Sequence, residues 1–177
     1  MARAIASPRP VRLPPGVRID LGGTAKGLAV DRAAKLLAPF SAYAVDAGGD
    51  IRIGGRDGVA RPVDIAHPLE DRVAHRFSVA TGAVATSGPR TRAWRSASGY
   101  AHHLIDPARG TPAWTGVIQA TALAPTALEA ETLAKLALLR GPHAGRRILT
   151  GHGGALILDD GEVVLAGALS TAGERAA

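Results

Sequence analysis

Apolar residues return along this chain with two different periods, and the periods divide it into helices and strands. In "TALEAETLAKLALLRG", Leu128, Leu133, Ala134, Ala137 and Leu138 recur at helical spacing. Thr126 followed three residues later by Glu129 is a capping-box signature, so a helix is predicted from Thr126 to Gly141. In "TAKGLAVDRAAKLL", Ala25, Leu28, Ala29, Ala33 and Leu36 recur in the same way, which predicts a helix capped at Thr24, ending near Leu37, with that stripe buried. Elsewhere the period is two. "VRID" reads as a short strand followed by a turn at Gly22-Gly23. "AYAVDAGGDIRIGG" and "FSVATGAVATSG" read as hairpins around Gly48-Gly49 and Thr81-Gly82, and "GALILDDGEVVLAG" as a third with Asp160-Gly161 as its turn. "GVIQATALAP" reads as a strand, and "HHLIDPARGTPA" as a short apolar run that stops at Asp106-Pro107.

Hairpins with two main helices set among them predict an α+β fold with largely antiparallel sheets, not a doubly wound parallel one. At 177 residues and 46% hydrophobic the chain can bury one real core. Residues 1–16 carry Pro8, Pro10, Pro14 and Pro15 among arginines and read as a disordered leader; 17–169 read as the folded part, and 170–177 as a tail.

Composition narrows the chemistry. There is no cysteine, which removes disulfides, thiolate metal sites and a cysteine nucleophile. No run of apolar residues is long enough for a membrane span, and the start lacks the apolar core of a signal peptide, so the chain as written reads as cytoplasmic. The net charge of +6 favours an anionic ligand. The arginines are scattered, densest at Arg90, Arg92 and Arg95, and aromatic residues make up only 3%, so a nucleic-acid partner is not expected.

Several stretches admit two readings. Asp20, Gly22-Gly23, Thr24 and Lys26 crowd the start of a helix, which suits either an anion cradle or a tight turn with a surface lysine; neither the P-loop nor the dinucleotide glycine spacing is present. Asp46 and Asp50 around Gly48-Gly49 suit a ligand-binding turn or an ordinary hairpin. Thr86 and Ser87 could bond a ligand or the local backbone. His102 and His103 point to opposite faces of an extended segment, so at most one faces a given site. Glu131 and Lys135, four apart, are an i,i+4 ion pair or place Glu131 as a ligand for a hard cation.

Taken in order, "DLGGTAKGLAVDRA", "VDAGGDIRIGG", "DIAHP", "AVATSG", "HHLIDPARGTPA" and "ALEAETLAKLALL" resemble the FAD:protein FMN transferases, the ApbE family of flavin transferases, from about Val17 to Gly141. The resemblance implies FAD as substrate, a divalent metal, usually magnesium (Mg2+), and transfer of FMN to a threonine or serine of a target protein with release of AMP. It places Asp20 and Lys26 on the flavin nucleotide, with Gly48, Gly49 and Leu104 also against it. It assigns the metal to the carbonyl of Gly23 and to Glu131, and makes His103 a catalytic helper, the base for the incoming hydroxyl. Hydrolysis of FAD and flavin binding without catalysis are its alternatives.

Two departures accompany the match. The family's late helix commonly offers an aspartate and, four residues on, a threonine to the metal; those positions hold Glu131 and Lys135 here, and an ammonium cannot coordinate a cation. The family's usual chain also has a further N-terminal portion, so residues 17–169 read as the C-terminal part of a flavin transferase domain. A separate chain supplying that portion is an expected partner, and exposed apolar surface is expected without it.

Overall fold

The computed structural model describes residues 12–89, 92–97 and 99–167. Most of the leader, all of the tail, and Arg90 of the arginine cluster lie outside the described residues. In chain order the elements are α1 (Ala25–Leu37), β1 (Ala42–Asp46), β2 (Asp50–Gly55), β3 (Arg61–Ala66), β4 (Val73–Val79), β5 (Gly82–Ser87), β6 (Ala93–Ser96) and β7 (Gly99–His102). They continue with β8 (Ile105–Asp106), β9 (Thr111–Pro112), β10 (Val117–Ala124), α2 (Ala127–Thr150), β11 (Gly154–Leu158) and β12 (Val163–Ala166). The α+β class stands: six strands form one sheet in the order β1-β2-β5-β10-β11-β12, and every pair in it is antiparallel.

Alternation along the strands gives the sheet two apolar faces. One carries Ala83, Ala85, Ala120, Ala122 and Leu156 toward α1 and α2; the other carries Ile53, Val84 and Ala155 toward Val63, Ile65, Phe77 and Val79 of the β3-β4 ribbon. Alanines dominate the helical face, so the helices approach the sheet closely. The larger fully buried side chains, Phe77, Leu138, Leu149, Leu156 and Ile157, each contribute about 1.5–3 kcal/mol of transfer free energy. Among the described residues no helix is long and apolar enough to cross a membrane.

Four expectations need correction, the last of them the end of α2. "FSVATGAVATSG" is not a hairpin: β4 pairs with β3 in the covering ribbon, while β5 enters the central sheet between β2 and β10. Gly82, with φ of 128°, lies where the chain passes from one layer to the other, and its own place against the carbonyl of Ala124 leaves little room for a side chain. "VRID" is not a strand, because among the described residues no strand pairs with it; Val17, Ile19 and Leu21 are exposed. The buried stripe of α1 is Gly27, Val30 and Ala34, while Leu28 and Leu36 face solvent. The helix is rotated from the apolar stripe because its narrow face must fit against the start of α2.

The other hairpins form as expected, β1 with β2 and β11 with β12. Thr126 caps α2, its hydroxyl accepting from the Glu129 N–H at 3.3 Å. The helical pattern does not stop at Gly141: the backbone breaks there, at φ 77° and ψ 179°, and a second helical segment resumes through Thr150. Pro142 is tolerated because it opens that segment, where its missing N–H is no loss.

Helices α1 and α2 meet backbone to backbone. A Cβ on Gly27 would lie 2.7 Å from the Ala127 carbonyl oxygen and from Leu128 Cα. Carboxylates close the contact from both sides. Asp31 of α1 accepts from the N–H groups of Ala127 at 2.8 Å and Leu128 at 3.0 Å, and Glu131 of α2 accepts from the Gly27 N–H at 2.9 Å. Each carboxylate thus satisfies free donors at the start of the other helix. The Gly27→Ala variant should lose about 1–3 kcal/mol in urea unfolding from overpacking, whereas Leu36→Ala should stay within about 0.5 kcal/mol of wild type because the side chain is solvated. Equal losses in the two would contradict this orientation of α1.

Candidate functional site

A cleft of about 400 Å³ opens at one end of the sheet, where the start of α1, the β1-β2 turn and the end of β5 come together. The register brings them there, since Asp50 at the start of β2 pairs with Ala85 near the end of β5. Gly48 and Gly49, at φ 67° and 93°, make the turn, which only glycine adopts without strain. A Cβ on either would meet nothing within 4 Å, so both present bare backbone to open space. Asp46 braces the turn by accepting from the Gly49 N–H at 2.8 Å.

Cations line this cleft: Lys26, Arg92 and Lys135, with His103 beside them. Each lysine stands on a buried carboxylate. Lys26 Nζ lies 2.9 Å from Asp50 Oδ2, and Lys135 Nζ donates to Glu131 Oε1 at 2.7 Å. Asp50 and Glu131 have almost no exposed surface, so the acids lie beneath and the ammonium groups face the cleft. Burial raises the Asp50 pKa, and the Lys26 hydrogen bond and charge act against it. The His103 pKa is lowered, first by partial burial and also by the charges of Arg92, Lys135 and Lys26; a backbone hydrogen bond at Arg92 works the other way. A neutral imidazole at pH 7 follows.

Asp20 is exposed and accepts from the Gly22 N–H at 2.7 Å, closing the glycine turn. It lines a smaller cavity of about 250 Å³, with Gly22, Gly23, Arg92, His103, Leu104 and Lys135. Four residues, Gly22, Arg92, His103 and Lys135, border both cavities. Seven of the eight residues assigned by the resemblance therefore lie on these walls, and Glu131 lies beneath them. His102, as alternation requires, turns the other way: it is buried, edge-on to Trp114, with Nδ1 accepting from the Leu104 N–H. His67 of "DIAHP" is also fully buried and contacts the Gly161 carbonyl at 3.3 Å, a structural tie between the ribbon and the β11-β12 turn.

Sequence reasoning missed Gln119 and Ala66, which also border the larger cleft. A polar residue inside the apolar run of β10 was the available signal for Gln119, and the register shift between Val117 and Gln119 marks the local irregularity. Its amide donates to the Ala66 carbonyl at 3.0 Å, joining β10 to the ribbon at the cleft rim. Nothing in the sequence pattern pointed to Ala66.

The expected metal ligands can be tested on their donors. Both Glu131 oxygens already accept hydrogen bonds, one from Gly27 and one from Lys135. A Cβ on Gly23 would lie 3.8 Å from Lys135 Cε, so the lysine runs beside the glycine whose carbonyl the resemblance assigns to the metal. An ammonium there repels a cation, and no group of three or more metal-ligating side chains occurs among the described residues. The donor set does not fit a divalent ion.

Fold and cleft together define an α+β domain whose basic, glycine-bordered cleft has the chemistry to take a phosphate-bearing anion. More narrowly, the ApbE family model matches residues 4–158, and the chain belongs to that family. It is similar to the FAD:protein FMN transferase of Chlamydia trachomatis, 34% identical over 102 residues, which are 57% of this chain and 31% of that protein. The enzyme of the same name from Treponema pallidum is 32% identical over 154 residues, 78% of this chain and 42% of that protein. The crystal structure of the ApbE protein from Thermotoga maritima superposes with a TM-score of 0.78 at 31% identity, over 88% of this chain and 53% of that one. The chain thus spans less than half the length of the curated relatives it matches.

The surroundings of His103 set a pH test. NMR titration of its ring should give a midpoint below the ordinary histidine value of 6.5. A depressed native pKa means that the unfolded chain binds more protons between the two values, so the His103 contribution to stability falls as pH drops through that window. A midpoint at or above 6.5 would contradict the placement of Lys26, Arg92 and Lys135 around the ring.

Proposed function

We propose that this chain forms the nucleotide-binding half of an FAD:protein FMN transferase site. The observation that carries the reading is the cleft itself, in which Lys26, Arg92 and Lys135 surround the bare backbone of Gly48 and Gly49 with His103 alongside. A pyrophosphate needs that combination of cationic walls and close backbone approach. The names of its relatives in the ApbE family supply the substrate and the reaction.

In this reading FAD lies with its pyrophosphate between the two lysines, and Asp20, Gly48, Gly49 and Leu104 border the nucleotide. A threonine or serine hydroxyl of the target protein attacks the phosphorus on the FMN side. The new P–O bond forms as the P–O bond to AMP breaks, and AMP leaves with the electron pair. Neutral His103 accepts the hydroxyl proton, and its lowered pKa keeps it available for that at pH 7. The lysines and Arg92 offset charge that builds on the leaving phosphate, an electrostatic effect strongest in a site already aligned before reaction. Magnesium belongs to the family expectation, but the donors at Gly23 and Glu131 do not fit it, and no step is routed through a metal.

Incubation of the chain with FAD and a target domain should give flavin fluorescence on the denatured target band, together with AMP. A full-length relative serves as positive control. AMP release without target would identify hydrolysis, and FAD binding without AMP would identify a flavin-binding fragment; either would overturn the transferase reading. His103→Ala should lower the transfer rate by about 10²–10⁴-fold without lowering the unfolding midpoint, since the side chain is exposed.

A further inference from the structure

Lys135 is a side chain whose chemistry the family pattern does not anticipate and whose position the cleft cannot ignore. It borders both cavities, and 22% of its side chain is exposed there. We propose that its ammonium is the built-in counter-charge for the ligand's pyrophosphate and stands in for a divalent cation, so that FAD binds this chain without metal. The inference rests on the FAD reading above.

Three observations converge on it. Glu131, beneath the cleft, accepts a hydrogen bond on each oxygen and has no exposed surface, and the Lys135 ammonium stands between it and an ion in the cleft. Its negative charge is shared between the first turn of α1, through the Gly27 N–H, and the Lys135 ammonium. Lys135 has three N–H donors and gives one to Glu131, which leaves two for a ligand in the cleft. A Cβ added to Gly23 would lie 3.8 Å from Lys135 Cε, and the two residues line the same cavity at the glycine turn where α1 begins. Lys26 lies 2.9 Å from a second buried acid, Asp50, and that pair holds its position on α1. The two lysines therefore approach a pyrophosphate from different helices, each oriented by its own carboxylate.

The same geometry says what a substitution would do. Threonine at 135 removes the ammonium, frees one Glu131 oxygen and puts a hydroxyl four residues away on the same helix face. Such a site has oxygen donors where the native one has N–H groups, so it should acquire a need for magnesium that the native chain lacks.

Isothermal titration calorimetry of FAD into the purified full chain, in EDTA and in excess magnesium chloride, tests this directly. Wild type and Lys135→Arg should bind with Kd values that agree between the two buffers within about twofold. Lys135→Thr should bind at least about tenfold more weakly in EDTA and recover in magnesium; a thermal melt of each variant checks that it is folded. Wild-type binding that requires magnesium would overturn the inference while leaving the FAD reading intact. So would Lys135→Thr that is folded and binds as wild type in EDTA. If FAD bound in neither buffer, the function reading would fail, and this inference with it.

Discussion

Everything at this site depends on two helices touching through a glycine. At Gly27 the backbone of α1 rests on the first residues of α2 with no room for a methyl group. Asp31 and Glu131 lock the contact, each carboxylate reaching across to the free N–H groups at the start of the opposite helix. Burying a charge such as Glu131 costs several kcal/mol in general, and here a helix N-terminus and an ammonium offset it. Removing one partner of such a buried pair typically costs about 3–5 kcal/mol. The lysines inherit their positions from this contact, because Lys26 precedes Gly27 on α1 and Lys135 lies one turn beyond Glu131 on α2.

The antiparallel sheet does the rest of the positioning. Its register sets Asp50 beside Ala85, so the glycine turn before β2 and the Thr86-Ser87-Gly88 end of β5 come to the same edge as the start of α1. The acids sit below, the ammonium groups above, and unencumbered backbone borders the ligand space. Each ammonium in this arrangement is already oriented by a buried carboxylate. In the proposed reading a flavin dinucleotide, with two phosphates between two bulky ends, spans the two cavities that share Gly22, Arg92, His103 and Lys135.

Much of this was legible in the sequence, and the failures have a common cause. The first segment of α2 up to Gly141, strand β10 and the β1-β2 and β11-β12 hairpins carry their own periodicity and turn residues, so local pattern suffices for them; the segment of α2 after Gly141 was missed. The stripe of α1 did not follow from hydrophobicity, because the residue that decides its orientation is Gly27, which carries no apolar signal. The turn at Thr81-Gly82 looked like a hairpin, but its two strands belong to different layers, a matter of tertiary pairing. In the site, Glu131 and Lys135 form the i,i+4 ion pair that their spacing allowed, yet only the structure shows that the glutamate is buried and that the lysine faces the cleft. Asp20, Lys26, Gly48, Gly49 and His103 could be singled out because their motifs fall in a particular order. Gln119 carried only the weak signal of a polar residue in an apolar strand, and Ala66 carried none, since the fold alone brings it to the rim.

The central claim is that the α1-α2 contact builds one anion site, at the glycine turns and the two lysines, and that FAD occupies it. Backbone amide NMR of the labelled chain during titration with FAD measures this most directly. The account predicts saturable shifts concentrated at Gly22, Gly48, Gly49, Gly88, His103 and Lys135. Shifts centred instead on the separate surface pocket of Arg52, Thr81 and His152, or none at saturating FAD, would contradict it.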